Sequence, residues 1–292
     1  MPVGISRWIC VDRKDCRQAV ALIARNFVIS VRNSLLAWIV SSPLFVLCLF
    51  PSGSFAGPPF LTDDPVPVDR GHWEVNNYVA GSMPKAASVG VAPGVDANYG
   101  AATDLQLHLL VPAAVAQING MSAQWGLGDI ESGAKYRFLP AEERDWWPQV
   151  AFYPFLDFPT GNANRGLGTG AAHAFFPIWL QKDFGNWSTY GGGGYWLNPG
   201  EGNKNFWYAG GVVQYQLTKA LSLGGEVFHQ TSSSIAVPGI VTLGSKDTTG
   251  LNFGGVYDIN DTCHFLFSIG RAIENVPASS LFSFYAAIRF TF

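Results

Sequence analysis

Between residues 126 and 138, four ionisable side chains fall at one parity. Asp129, Glu131, Lys135 and Arg137 alternate with Ile130, Ala134, Tyr136 and Phe138. At the period of two that a strand imposes, the charges leave from one face and the apolar groups from the other. Two acids and two bases on one face could set a transverse field across a narrow passage and select solutes. The same residues could equally form an ion and hydrogen-bond network that stiffens a small barrel. By the same parity Glu74, Asp96, His108, Asp157, Glu226 and Arg289 join this polar face. Tyr208, Tyr285 and Tyr153 bring rings to it beside Gln214 and Gln216. Rings with a few polar groups suit a guest that is mostly apolar with one polar handle, and tyrosines that fill a small barrel would look alike.

Other chemistry finds less support. The histidines at 72, 108, 173, 229 and 264 show no HExxH spacing, so no metal site is expected. The glycine-rich run GNANRGLGTG at 161–170 lacks the Gly-Lys-Ser/Thr ending of a phosphate-binding loop and reads as a flexible external loop. Gly191 to Gly194 fall inside a strand candidate and read as a place of bending or close approach. His229 next to Ser232, Ser233 and Ser234 reads as a histidine at the membrane rim, not a catalytic pair. The expectation is a protein that is not an enzyme, with no catalytic residues and no cofactor.

The elements that must carry the polar face are strands. Twelve candidates run from 73: 73–79, 91–99, 104–115, 126–138, 148–158, 174–184, 187–197, 205–217, 221–231, 248–258, 264–272 and 282–292. In the last, Phe282, Phe284, Ala286, Ile288, Phe290 and Phe292 share one face, against Ser283, Tyr285, Ala287, Arg289 and Thr291. Spans 148–158 and 174–184 alternate poorly and contain Pro154 and Pro177. Strands of about 9–11 residues are what a tilted membrane crossing needs. Long links (80–90, 116–125, 159–173, 198–204, 232–247, 273–281) alternate with short ones (100–103, 139–147, 185–186, 218–220, 259–263). Outer-membrane barrels have this asymmetry, with long external loops and short periplasmic turns. A soluble sandwich or lipocalin-like barrel needs neither feature.

Composition points the same way. Of 292 residues, 13% are charged and 14% aromatic, against roughly 25% charged in soluble domains. After residue 56 no apolar run is long enough for a membrane helix, which leaves the closed barrel as the spanning option. Six basic and two acidic residues lie up to Ala56. Of the total of 18 and 21, that leaves 12 basic and 19 acidic residues, a net near −7. No nucleic-acid partner is expected of such a chain. Residues 35–50, LLAWIVSSPLFVLCLF, follow Arg32 and precede PSGSFA, the charged, apolar, small-residue order of an export signal cut after Ala56. A membrane anchor would need a longer run without Pro43, and a lipoprotein cut at Cys48 would need a small residue where Leu47 stands. The first 30 residues are unusual for a signal and fit an over-long start, with the true start near Val31. Only Cys263 survives the cut, so no internal disulfide can form.

Several blocks resemble a known family. Phe60-Leu61-Thr62-Asp63-Asp64-Pro65 followed by Gly71-His72-Trp73-Glu74, then PGVDANYG at 93–100 with TDLQL at 103–107, then GLGDIESGAKYRF at 126–138 and Pro159-Thr160-Gly161, are similar to the outer-membrane family named for the meta-pathway of phenol degradation. The resemblance covers most of 57–292 and is strongest before 165. It implies an exported barrel that helps small, often aromatic, molecules cross the outer membrane, and it brings no catalytic residues.

The fold expected is therefore all-β: a transmembrane antiparallel up-and-down β-barrel of about 12 strands after an N-terminal signal segment. Residues 1–56 form the export signal region. Residues 57–72 form a Pro-rich lead segment in the periplasm or in the barrel mouth, and residues 73–292 form the barrel. The lumen-lining candidates are Asp129, Glu131, Lys135, Arg137, Glu226, Tyr208, Tyr285 and Arg289. Phe292, the terminal aromatic, resembles the signal read by the barrel-assembly machinery. Expected partners are outer-membrane lipid, that machinery and a small-molecule solute. The expected role is a channel for small solutes, aromatic or poorly soluble compounds among them. A narrow structural or loop-presenting barrel is the alternative.

Overall fold

A computed structural model describes residues 58–83, 87–118, 122–140, 146–235, 244–276 and 282–292. The export signal region at 1–56 lies outside the described residues. Twelve antiparallel crossings follow one another: β1 (Trp73–Ser82), β2 (Ala87–Ala102), β3 (Leu105–Ile118), β4 in two pieces (Gln124–Leu127 and Ile130–Leu139) and β5 in two pieces (Gln149–Phe152 and Phe155–Phe158). Then come β6 (His173–Phe184), β7 (Trp187–Leu197), β8 (Phe206–Thr218), β9 (Leu221–Gln230), β10 (Thr248–Asn260), β11 (Cys263–Ala272) and β12 (Ser283–Thr291). Each pairs with the next. β12 returns to β1, from Glu74 opposite Thr291 to Ser82 opposite Ser283. Trp73 and Phe292 exchange backbone hydrogen bonds of 2.7 and 3.0 Å at that seam. The sheet closes into a barrel, the form in which strands satisfy their backbone groups in lipid, and the piece Gln124–Leu127 pairs on one side, with β3.

Alternation decides which face each residue takes. Along β12 Ala287 and Arg289 are buried, while Phe290 and Phe292 are exposed. Along β4 Lys135 is buried between exposed Tyr136 and the outward Ala134, and Phe138 is exposed again. Leu107, Leu109, Val213, Val227, Leu251, Phe253 and Ile269 stand on the exterior. Such an exterior is stable only against hydrocarbon. Trp73, Trp125, Phe138, Trp147, Trp187, Tyr257 and Phe292 are all exposed near strand ends, where a bilayer places its aromatic girdles. These features place the barrel in the outer membrane of a Gram-negative cell.

The two-residue turns 103–104, 185–186, 219–220 and 261–262 gather at the end that holds Trp73 and Phe292. The other links are at the opposite end, except that 140–148, which joins β4 to β5, shares the end of the two-residue turns. The first of these shrinks from the expected 80–90 to 83–86, because β1 and β2 go on pairing as far as Ser82 opposite Val89.

Two crossings are interrupted. In β5 the break falls at Tyr153-Pro154, beside Pro177 of β6, where two prolines withhold ladder donors. In β4 it falls at Gly128-Asp129. The link 159–172 folds back onto that break. The Asp129 carboxylate accepts from Gly161 N (2.9 Å), Thr169 N (2.7 Å) and Thr169 Oγ1 (2.7 Å). Leu167 tucks against Gly126 and is buried. The run at 161–170 is thus an anchored loop, and the flexible loop expected from its glycines is not what the fold builds.

Candidate functional site

The barrel interior divides into a polar half and an aromatic half. On the polar side, strands β1 to β4 and β12 carry a network of ion pairs and hydrogen bonds, with Arg137 in a group of its own. Arg289, 1% exposed, pairs with Glu74 (3.2 Å) and donates to Asn76 Oδ1 (2.9 Å). Asn76 donates to Asp96 (3.1 Å), which also accepts from Asn98 (2.9 Å). His108 Nδ1 lies 3.1 Å from Asp96, and its Nε2 lies 2.8 Å from Glu131. Arg137 pairs with Asp104 at 2.6 Å and donates to Gln149 (3.1 Å). Charges taken this far from water persist only when each is matched, and here every one of these has a partner.

The lead segment belongs to this network. It does not stand off in the periplasm: Pro58 to Asp69 runs along the inside of the wall. Pro59 O accepts from Ser268 of β11 (2.6 Å) and Pro58 O from Arg289 (3.5 Å). The Glu226 carboxylate of β9 accepts from Thr62 N (2.6 Å) and Leu61 N (3.3 Å), and also from Asn252. Thr62 Oγ1 meets Tyr208 OH at 3.0 Å. Lys135 pairs with Asp63 at 3.1 Å, and Val68 N donates to Gln106 (2.9 Å). Thr62 and Asp64 are wholly buried. Gly210 makes room for the segment, since a Cβ there would strike Thr62 Oγ1. The physical reason for the inward course is that wall and segment carry complementary charge and unmet backbone donors.

On strands β5 to β9 the inner face adds an aromatic cluster to buried polar residues such as Gln149, Gln181, Gln214 and Glu226. Tyr153, Phe175, Trp179 and Tyr208 form a buried cluster, with Phe155, Trp196 and Phe228 packed against it. Phe175 and Trp196 stack at 4.7 Å. The Lys135 ammonium, 5.0 Å from the Tyr153 ring centre, joins the two halves by a cation–π contact.

The residues singled out from sequence take these places. Glu131, Lys135, Arg137, Glu226 and Arg289 all face the lumen side and are bonded there. Tyr208 lies in the aromatic cluster, and Tyr285 stacks on Tyr78 at 5.4 Å. Asp129 is apart from them: the break in β4 gives it to the loop at 159–172. His229 faces Thr249 Oγ1 (2.9 Å) on the exposed rim. The Gly191–Gly194 run follows from close approach, because a Cβ at Gly192 would strike the Ile178 carbonyl. Parity alone missed Asp63 and Asp64, which precede the first strand, and Phe175 and Trp179, which sit in the poorly alternating span.

Comparison with known proteins agrees with this geometry. The barrel is similar to the COG4313 outer membrane channel from Pseudomonas putida F1, with a TM-score of 0.62 and 17% identity over 84% of this chain and 100% of that one. The NanC porin (TM-score 0.49, 10% identity, 75% of this chain and 98% of that one) is more distant. So is the KdgM porin in complex with disordered oligogalacturonate (0.45, 9%, 74% and 99%). Among curated proteins no relative matches. The family described as the MetA-pathway of phenol degradation matches residues 64–290, nearly the whole described barrel, and the chain belongs to it.

Proposed function

We propose that the barrel passes small solutes, aromatic or poorly soluble compounds among them, across the outer membrane, and that the lead segment is its closure. The observation that carries this reading is the divided lumen. A wall of rings offers passage to apolar molecules, and polar and charged groups of β4, β8 and β9 hold the segment through hydrogen bonds and one ion pair. The family and the likeness to an outer membrane channel support it. The reading is of a channel and not of an enzyme.

One observation favours the alternative of a narrow structural barrel: the segment inside the lumen is deeply buried. Conductance in a planar bilayer separates the two. Channel events that lengthen when the segment's anchors are weakened support passage. A barrel that stays electrically silent with every anchor weakened is structural. Uptake of a labelled phenolic compound at limiting concentration, with and without the gene, tests the cargo. Equal uptake in both strains removes it.

A further inference from the structure

The outer face of the wall carries a hollow that the chemistry of the lumen does not use. On the lipid side of β8 to β11, Val213, Val227, Leu251, Phe253 and Ile269 stand outward around Gly211 and Gly225. The hollow has a volume of about 790 Å³, within the size range of sites that hold a small ligand. The two glycines form its floor. A Cβ built on either would meet nothing nearer than 3.9 Å, so the space belongs to the hollow and is not taken up by close packing of the wall.

Arg271 bounds this hollow at one end. It is opposite Leu251 in the ladder, Leu251 is opposite Val227, and Val227 is opposite Gly211. It shares the outward parity of Ile269 and is exposed. One row further on, His229 and Thr249 begin the polar rim. β11 leaves the two-residue turn 261–262 and reaches Arg271 at the opposite end of the barrel, so the guanidinium stands at headgroup depth in the outer leaflet. Among the described residues it makes no ion pair, and its Nε donates to Ala272 O at 3.3 Å. The acids of the adjoining links are engaged elsewhere, Glu274 by Thr249 Oγ1 (2.6 Å) and Asp247 by Ser232 N (2.9 Å). Residues 236–243 and 277–281 of those links contain no acid.

We infer that this hollow binds a phosphorylated lipid of the outer leaflet, with an acyl chain along Gly211 and Gly225 and a phosphate on Arg271. The guanidinium fork matches two phosphate oxygens. An arginine on the lipid face is costly at mid-depth and tolerated near the headgroups, which is where this one stands. The apolar sides of the hollow suit the chain. A second copy of this protein is the poorer occupant, because a two-fold contact would set hollow against hollow and one guanidinium against the other. The site is on the outside of the wall, so it stands or falls separately from passage through the lumen.

The test is native mass spectrometry of the full processed chain, folded in detergent micelles and titrated with lipid A that carries both phosphates, or with the same lipid A after phosphatase treatment. One phosphorylated lipid should bind saturably, about tenfold more tightly than the dephosphorylated form. Arg271→Gln should remove that preference. Gly225→Leu, which fills the floor and leaves Arg271 in place, should weaken both lipids. Gly211→Leu serves if Gly225→Leu fails to give a heat-modifiable barrel. Equal affinity for the two lipids in the unmodified protein, a preference that survives Arg271→Gln, or binding indifferent to a filled floor would overturn the site. So would a dimer that forms without lipid and is broken by the filled floor, which gives this face to a second copy.

Discussion

Replacing Glu226 with glutamine tests the proposal that the lead segment is the lumen's closure. The carboxylate is 3% exposed and accepts from Thr62 N, Leu61 N and Asn252, with Tyr208 OH at 3.4 Å. Glutamine keeps the shape, loses the charge and offers one acceptor oxygen where there were two. Hydrogen bonds to a charged group contribute about 1.5–3 kcal/mol and neutral ones about 1 kcal/mol. Weakening one bond and losing a second therefore costs the closed arrangement about 2 kcal/mol, which is roughly a 30-fold rise in the open population. Single-channel recording should show the rise in open probability. A cysteine at Thr62, with Cys263→Ala to silence the native thiol, gives a second readout. Thr62 is wholly buried, so a soluble thiol reagent labels Thr62→Cys only when the segment leaves, and Glu226→Gln should speed labelling by a similar factor. A correctly folded Glu226→Gln barrel with unchanged open probability and labelling rate would refute the assignment of the segment as the closure.

Asp129→Asn should release the loop at 159–172, costing about 2 kcal/mol for the weakened charge-assisted bonds, and limited proteolysis should cut there faster than in the unmodified protein. Ile288→Arg, on the lipid face, should cost roughly 2–4 kcal/mol in unfolding from lipid, while Ser283→Arg costs much less; equal costs would reverse the faces of β12. Removing Phe292 deletes both backbone bonds to Trp73 and should slow membrane assembly and raise periplasmic degradation, as pulse-chase would show. N-terminal sequencing of outer-membrane material should read from Gly57, and a start upstream of Leu35 would defeat the export-signal reading.

The sequence was most legible where the two faces of a strand differ. β12 and β4 alternate between apolar and ionisable residues, so their parity and the inward turn of Arg289 and Lys135 could be read directly. β5 and β6 could not be read this way, because the lumen beside them is aromatic. Tyr153, Phe175 and Trp179 face inward while Phe152, Phe176 and Ile178 face lipid, and two apolar faces erase the period. The weak signal there was itself a mark of the aromatic half of the site. The lead segment was recognisable as non-sheet from its prolines, but its position was not. It has no periodicity, and its partners lie far along the chain: Thr62 and Glu226 are 164 residues apart. The partners of Asp129 were hidden for a third reason. Parity assumes an unbroken strand, and β4 breaks beside it.

The grip of β11 and β12 on Pro59 and Pro58 has a consequence for the order of events in biogenesis. The earliest part of the described chain is clasped by the last two strands to be delivered, and those same strands seal the cylinder against β1. Lys135, Tyr208 and Glu226 offer the segment partners once β4, β8 and β9 are in place, but Pro58 and Pro59 find theirs only with β11 and β12. If the segment is the closure proposed above, its grip is therefore completed by the same strands that form the seam.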